Sequence, residues 1–237
     1  MFLHAIFERA IIDQVVTVNP CAHTVLPKFV KQPKKAITPE QFETLLGEIP
    51  GRYRILVLVA IETGARWGEV AALRPIDVEL DSGEIHVRRV VLEVSKKITG
   101  ADKVWSIRDY PKNNEHRTIR IGDQLCQDLR EYLMATGKRG EDLLFSTSTG
   151  SPVSRNVFRT RVWLPAIACA ALRQHVRFHD LRGAHASWLL AGGADLKAVM
   201  DRLGHKQIQT TQQYLGRLPD ADDRALAAFE TVRHRRS

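Results

Sequence analysis

Cysteine is scarce in this sequence. Its 237 residues hold three, Cys21, Cys126 and Cys169, far apart and with no C-x-x-C pair. That excludes a disulfide framework or a cysteine-bound zinc as the basis of the fold, and a reducing cytoplasm is the simplest setting. Long apolar runs are also lacking. The longest, Ile55 to Ile61, is far too short to span a bilayer, so no membrane partner is expected. No basic region precedes an apolar run at the N-terminus, so no secretory signal is expected. Acidic residues are the minority charge, 27 against 35 Lys and Arg, and the formal net charge of +8 favours a polyanionic partner such as nucleic acid. There is no G-x-x-x-x-G-K-[ST] phosphate loop, no H-E-x-x-H pair and no carboxylate cluster suited to two metals, so neither a metal nor another cofactor is expected. Internal repeats and low-complexity stretches are absent as well.

What remains is ample for a packed core, with 44% hydrophobic residues. Apolar positions at helical spacing predict a first helix over Phe2 to Val18, whose face one short helix cannot bury alone. Asn19-Pro20 breaks it, and the lysine- and proline-rich stretch after it reads as an extended basic linker over 19–37. The main domain, 38–237, starts at Thr38-Pro39, with Gln41 completing a capping box and a helix running to about Gly47. Arg52 to Thr63 reads as a central helix ended by Gly64. A short helix follows over Arg66 to Leu73, halted at Pro75. Period-two patterning predicts strands at Glu84–Val94, Val104–Arg108 and Arg117–Ile121, forming one sheet of about three antiparallel strands. Pro111 to Glu115, carrying Lys112, reads as the hairpin turn between the last two. Further helices are predicted from Gln124 to Ala135 with Asp123 as cap, from Arg155 to Leu164 bounded by Pro165, from Ala166 to Leu172, and from Ala221 to Val232. The fold class is thus mainly α with a small antiparallel sheet, α+β.

The most informative stretch runs from His179 to Tyr214. His179 and Arg182 lie one helical turn apart, Leu203-Gly204-His205 closes a second helix, and Tyr214 follows. A guanidinium suits phosphate oxygens and a phenol can attack phosphorus, so the set points to phosphoryl transfer with Tyr214 as the attacking group. Taken singly, such a histidine or tyrosine is more often packing. Arg66 at a helix junction can add positive charge, and Lys112 on a turn beside a phosphate would suit an acid.

Arg66, Lys112, His179, Arg182, His205 and Tyr214 stand in order within TGARWGEVAALR, PKNNEHRTIRI, HDLRGAHASWLL, LGH and TTQQYL. In these motifs the sequence resembles the tyrosine recombinase (phage integrase) family from about Thr38 onward. The resemblance implies a mostly helical catalytic domain acting on double-stranded DNA, with residues 1–18 as the remnant of an N-terminal core-binding helical domain. It implies that Tyr214 forms a 3′-phosphotyrosyl link and frees a 5′-hydroxyl, which a partner strand's hydroxyl later reverses without ATP. Lys112 then protonates the leaving oxygen, Arg66, Arg182 and His205 steady the phosphoryl oxygens, and His179 accepts or holds the Tyr214 proton. Glu69 is expected to orient a neighbour. A homo-tetramer on DNA, monomeric when free, is implied too. One departure is Gly183, which follows Arg182 where the family often has a larger polar residue. Other readings are a type IB topoisomerase, which reseals the same strand, and a truncated, inactive remnant or DNA-binding regulator.

Overall fold

The computed structural model describes residues 2–25, 36–94, 105–110, 116–172 and 174–204. The chain divides into two compact units, Met1–Lys34 and Lys35–Ser237.

In the first unit, helix α1 spans Phe2–Ile12, shorter than the helix expected to reach Val18. The periodicity continues beyond Ile12, but Gln14 takes a positive φ of 56° and ends the helical path. Asn19 then folds back on α1, its amide donating to the His4 carbonyl at 3.3 Å and to Glu8 Oε1 at 2.6 Å. No residue of α1 is buried, and Phe2, Leu3, Ile6 and Ile12 stay exposed.

The second unit opens with α2, Pro39–Glu48, started by the anticipated box: Thr38 Oγ1 accepts from Gln41 N–H at 3.2 Å and Gln41 Oε1 accepts from Thr38 N–H at 3.1 Å. Helix α3, Gly51–Thr63, is central, with Leu56, Val57, Val59, Ala60 and Ile61 all buried. It closes at Gly64, whose φ of +63° is one that side chains resist. A Cβ there would also lie 2.6 Å from Leu203 Cδ2 and 2.7 Å from the His185 ring, so the position demands glycine twice over. Helix α4, Trp67–Ala71, and a single 3-10 turn, Pro75–Asp77, lead into the strands.

The expected single sheet is two. Strands β1 (Val78–Glu79), β2 (Glu84–Val87) and β5 (Arg117–Arg120) form one in the order β1-β2-β5, and β3 (Arg89–Glu93) with β4 (Trp105–Asp109) forms the other; all pairs are antiparallel. The predicted strand Glu84–Val94 is therefore split at Arg88. The cause lies in its partner. Val87 pairs with Arg117 of β5 whereas Arg89 pairs with Asp109 of β4, so the partner strand changes at Arg88. It follows that β4 and β5 lie in different sheets and are not hairpin partners; the turn expected at 111–115 lies outside the described residues.

Helix α5, Asp123–Thr136, begins one residue earlier than predicted and takes Gly122, not Asp123, as its cap. Pro165 does not stop the next helix. Helix α6 (Arg155–Phe158) runs through a π-turn (Arg159–Trp163) into α7 (Leu164–Cys169). Within that wider turn the Leu164 N–H reaches back to the Arg159 carbonyl, a spacing that makes room for a proline ring and its missing N–H. Helices α8 (Asp180–Ala191) and α9 (Leu196–Leu203) complete the described chain. Helix α3 packs on α5 and α8, α4 on β3, and α9 on both α8 and β5. Among the described residues no helix is long and apolar enough to cross a membrane. The predicted helix Ala221–Val232 lies outside them.

Candidate active site

Three of the six candidates, Arg66, His179 and Arg182, fall among the described residues; Lys112, His205 and Tyr214 lie outside them. An aromatic junction brings Arg66 and His179 to one groove. Trp67, just after Arg66, meets Phe178, just before His179, edge to face with centroids 4.9 Å apart. Phe158 and Trp163 pack around Phe178 at 5.7 and 5.4 Å. Such pairs add about 0.5–1.5 kcal/mol each beyond their buried area. Arg66 and His179 both line the resulting groove of about 540 Å³, with Arg155, Arg159 and Arg177. Nothing in the spacing of the sequence marks Trp67 and Phe178 as partners; the only signal is an aromatic beside each candidate.

The turn before α8 is locked by Asp180, whose carboxylate accepts from Arg177 N–H at 2.9 Å and from its guanidinium at 2.8 Å. His179 is exposed in area but sits in a densely packed hollow. That desolvation first, then the Arg182 charge, lowers its pKa from 6.5, and Asp180 opposes the shift only in part. The imidazole is therefore neutral at pH 7 and able to accept a proton.

Arg182 is 3% exposed. Its guanidinium donates to the Gly64 carbonyl at 2.7 Å and to the Leu203 carbonyl. These carbonyls end α3 and α9, where helical backbone leaves acceptors unfilled and the dipole favours a cation. Gly64 precedes Arg66 by two residues and Leu203 precedes His205 by two, so Arg182 ties together the helix ends from which two other candidates follow.

Arg66 caps α4, and Glu69 is the hub beneath it. Glu69 Oε2 accepts from the Arg66 N–H at 2.7 Å and Oε1 from its guanidinium at 3.0 Å. Arg117 of β5 adds two bonds, at 3.1 Å to Oε1 and 2.6 Å to Oε2, and the Tyr110 hydroxyl donates to Oε1 at 3.1 Å. Burial, the largest influence, would raise the Glu69 pKa; the Arg117 bonds and charge, then Arg66, overcome it and bring it down to about 2. Glu69 thus does orient a neighbour. Tyr110 and Arg117 were missed in the sequence, where Arg117 looks like any strand arginine. Only its two-residue spacing from the apolar Ile119, which puts both on one face of the strand, hints at an inward partner.

A cation could share donors elsewhere. Glu79, Glu84 and His86 on the three-stranded sheet hold ligand atoms within 4.8 Å of one another. None of the six candidates belongs to that cluster, and His86 Nε2 lies 2.8 Å from Glu79 Oε1.

The same arrangement of elements is found in solved proteins. The Tn1549 transposon integrase, solved with circular intermediate DNA, superposes with a TM-score of 0.76 at 20% identity, over 97% of this chain and 76% of that one. In sequence, the integrase of Mycobacterium phage D29 is 29% identical over 218 residues, covering 90% of this chain. Tyrosine recombinase XerC of Halalkalibacterium halodurans is 29% identical over 229 residues, covering 90% of this chain and 67% of its own length. The chain spans only about half of the D29 integrase, 55% of its length. The model of the phage integrase family matches residues 35–219, most of the second unit, and this chain belongs to that family.

Proposed function

We propose that this chain is a site-specific recombinase that cuts and rejoins double-stranded DNA through a 3′-phosphotyrosyl intermediate. What carries the reading is the meeting of Arg66 and His179 in one basic groove, with Arg182 binding the helix ends that lead to Arg66 and His205.

In the first step the Tyr214 oxygen attacks the scissile phosphorus and the bond from phosphorus to the 5′-oxygen breaks. The Tyr214 proton passes to His179, whose lowered pKa leaves it neutral and ready. Lys112 gives a proton to the departing 5′-oxygen, since an alkoxide leaves poorly. Arg66, Arg182 and His205 donate to the non-bridging oxygens as charge gathers there. A 5′-hydroxyl from the partner strand then attacks the phosphotyrosine, restoring the phosphodiester and the phenol. The bond energy is kept in the intermediate, so the scheme needs no nucleotide. Residues 1–18 are read as part of a core-binding helical domain and 19–37 as its linker, in keeping with the exposed apolar face of α1. The working assembly is a homo-tetramer on DNA built from free monomers.

The test is capture. Nicked duplexes of random sequence, incubated with the chain and denatured in SDS, yield a covalent adduct that is enriched and sequenced. Tyr214→Phe yields none. An adduct from that variant reassigns the nucleophile, and no adduct from the unaltered chain overturns the cleavage reading.

A further inference from the structure

Arg66 is 42% exposed at its side chain, yet its guanidinium and its backbone N–H are both held by one carboxylate, that of Glu69. Glu69 is itself fully buried, so its direction is set by whatever else donates to it. Those donors are Tyr110 Oη, 3.1 Å from Oε1, and the Arg117 guanidinium, lying along both carboxylate oxygens. Arg117 is in turn fixed at its other edge, where Nε donates to the Arg202 carbonyl of α9 at 3.0 Å. Its shaft and guanidinium also lie against Gly204, where an added Cβ would stand 3.3 Å from an Arg117 nitrogen and 3.4 Å from Cδ. A carboxylate with fewer fixed donors would have other rotamers open to it and would take the Arg66 side chain along.

We propose that Tyr110 and Arg117 are positioning residues for Arg66, acting through Glu69, and that their job is to aim the Arg66 guanidinium at the charge that develops on the scissile phosphate. Their effect reaches the phosphate through Glu69 and Arg66. The inference rests on the reading of Arg66 as a phosphate-stabilising group. A misplacement of about 1 Å in such a group can cost about 100-fold in rate. The loss of one hydroxyl that leaves Arg117 in place costs less, about 10-fold.

The discriminating substrate is a captured nicked duplex made with either a phosphodiester or a methylphosphonate at the scissile position. A methylphosphonate lacks one charged non-bridging oxygen, so a donor aimed at that charge matters less. Arg66→Ala sets the scale: a large loss in single-turnover cleavage on the phosphodiester and a much smaller one on the methylphosphonate. Tyr110→Phe, which deletes one oxygen, then slows phosphodiester cleavage about 10-fold and methylphosphonate cleavage by less than about 2-fold. Arg117→Lys, which keeps the charge but not the paired geometry, follows the same pattern. If Arg66→Ala slows both substrates equally, the reading of Arg66 fails and this inference with it. If Arg66→Ala discriminates while Tyr110→Phe slows both substrates alike, or neither, the reading of Arg66 stands and the positioning role is overturned. Should Arg117→Lys fail to fold, Tyr110→Phe decides alone.

Discussion

Replacing Glu69 by Gln should remove a defined piece of the protein's acid sensitivity. The carboxylate is 1% exposed and its pKa falls from 4.5 to about 2, because Arg117 and Arg66 more than offset the cost of burial. The folded state has the lower pKa, so as pH falls the unfolded chain takes up the proton first. The stabilisation is therefore complete above pH 4.5 and is lost as pH drops through about 2. Its full size is about 3 kcal/mol, of which about 2 kcal/mol has gone by pH 3. At neutral pH, Glu69→Gln leaves the buried Arg117 charge without its partner and costs about 3–5 kcal/mol. The gap between wild type and variant should then narrow by about 2 kcal/mol between pH 7 and pH 3. With a urea slope of about 2 kcal/mol per molar, that is about 1 M in the difference of midpoints. Other acid-sensitive groups cancel in this difference. Among them is His185, whose pKa is depressed to about 3 by burial and the Arg202 charge and which therefore also favours unfolding in acid. A midpoint difference that stays constant from pH 7 to pH 3, or widens, would refute the assignment of Glu69 as a charge held by Arg117 and Arg66.

Three further outcomes are expected. Lys112→Ala should slow cleavage of a phosphodiester by about 100-fold, and far less where the bridging 5′-oxygen is replaced by sulfur, since a thiolate leaves without a proton; equal losses remove Lys112 from the acid role. Single-turnover cleavage should lose half its rate only below pH 6.5, because burial and Arg182 push the His179 pKa below that value; a decline already complete by pH 7 would exclude His179 as the acceptor. Gly68→Ala should lower thermal stability by about 1–3 kcal/mol, since its Cβ would lie 2.6 Å from the Val91 carbonyl oxygen, a backbone atom of β3 that cannot swing away; an unchanged melting temperature would mean that α4 and β3 pack less closely.

What was legible in the sequence was local. The Thr38–Gln41 box and the stop at Gly64 depend on residues within one turn, and both occur where the pattern placed them. Strand pairing depends on distant residues and was misread. The stretch Glu84–Val94 keeps its inward alternation through Ile85, Val87 and Val91, all buried, so nothing inside it marks the break. The break comes from the change of partner strand at Arg88, from β5 to β4. Pro165 misled for a similar reason, because a widened turn upstream can absorb a proline without ending the helix. The site divides in the same way. The three-residue spacing of His179 and Arg182 declares a shared helical turn. The support beneath Arg66 comes from Tyr110 and Arg117, over forty positions away, and their chemistry is indistinguishable from that of surface residues until the chain folds.

The two arginines proposed to bind the phosphate are held by different means, and that governs how each can be studied. Arg66 is steered by a full carboxylate whose charge is shared with Arg117, and its side chain stays partly open to solvent. Removing it leaves Glu69 still paired with Arg117 and Tyr110, so the local fold keeps most of its bonds. Arg182 is buried, and its guanidinium spans the ends of α3 and α9 by way of two backbone carbonyls. Its removal would expose those carbonyls to an apolar interior and loosen the contact of α9 with α3, at a cost of about 1–3 kcal/mol for each acceptor left unfilled. A loss of cleavage in an Arg182 variant therefore mixes missing phosphate donors with displaced helix ends. Lysine does not resolve this, because one ammonium cannot reproduce two diverging N–H bonds in a plane. On the proposed assignment, Arg66 is consequently the position at which electrostatic stabilisation of the phosphate can be measured separately from stability, whereas at Arg182 the fold and the proposed chemistry depend on the same two bonds.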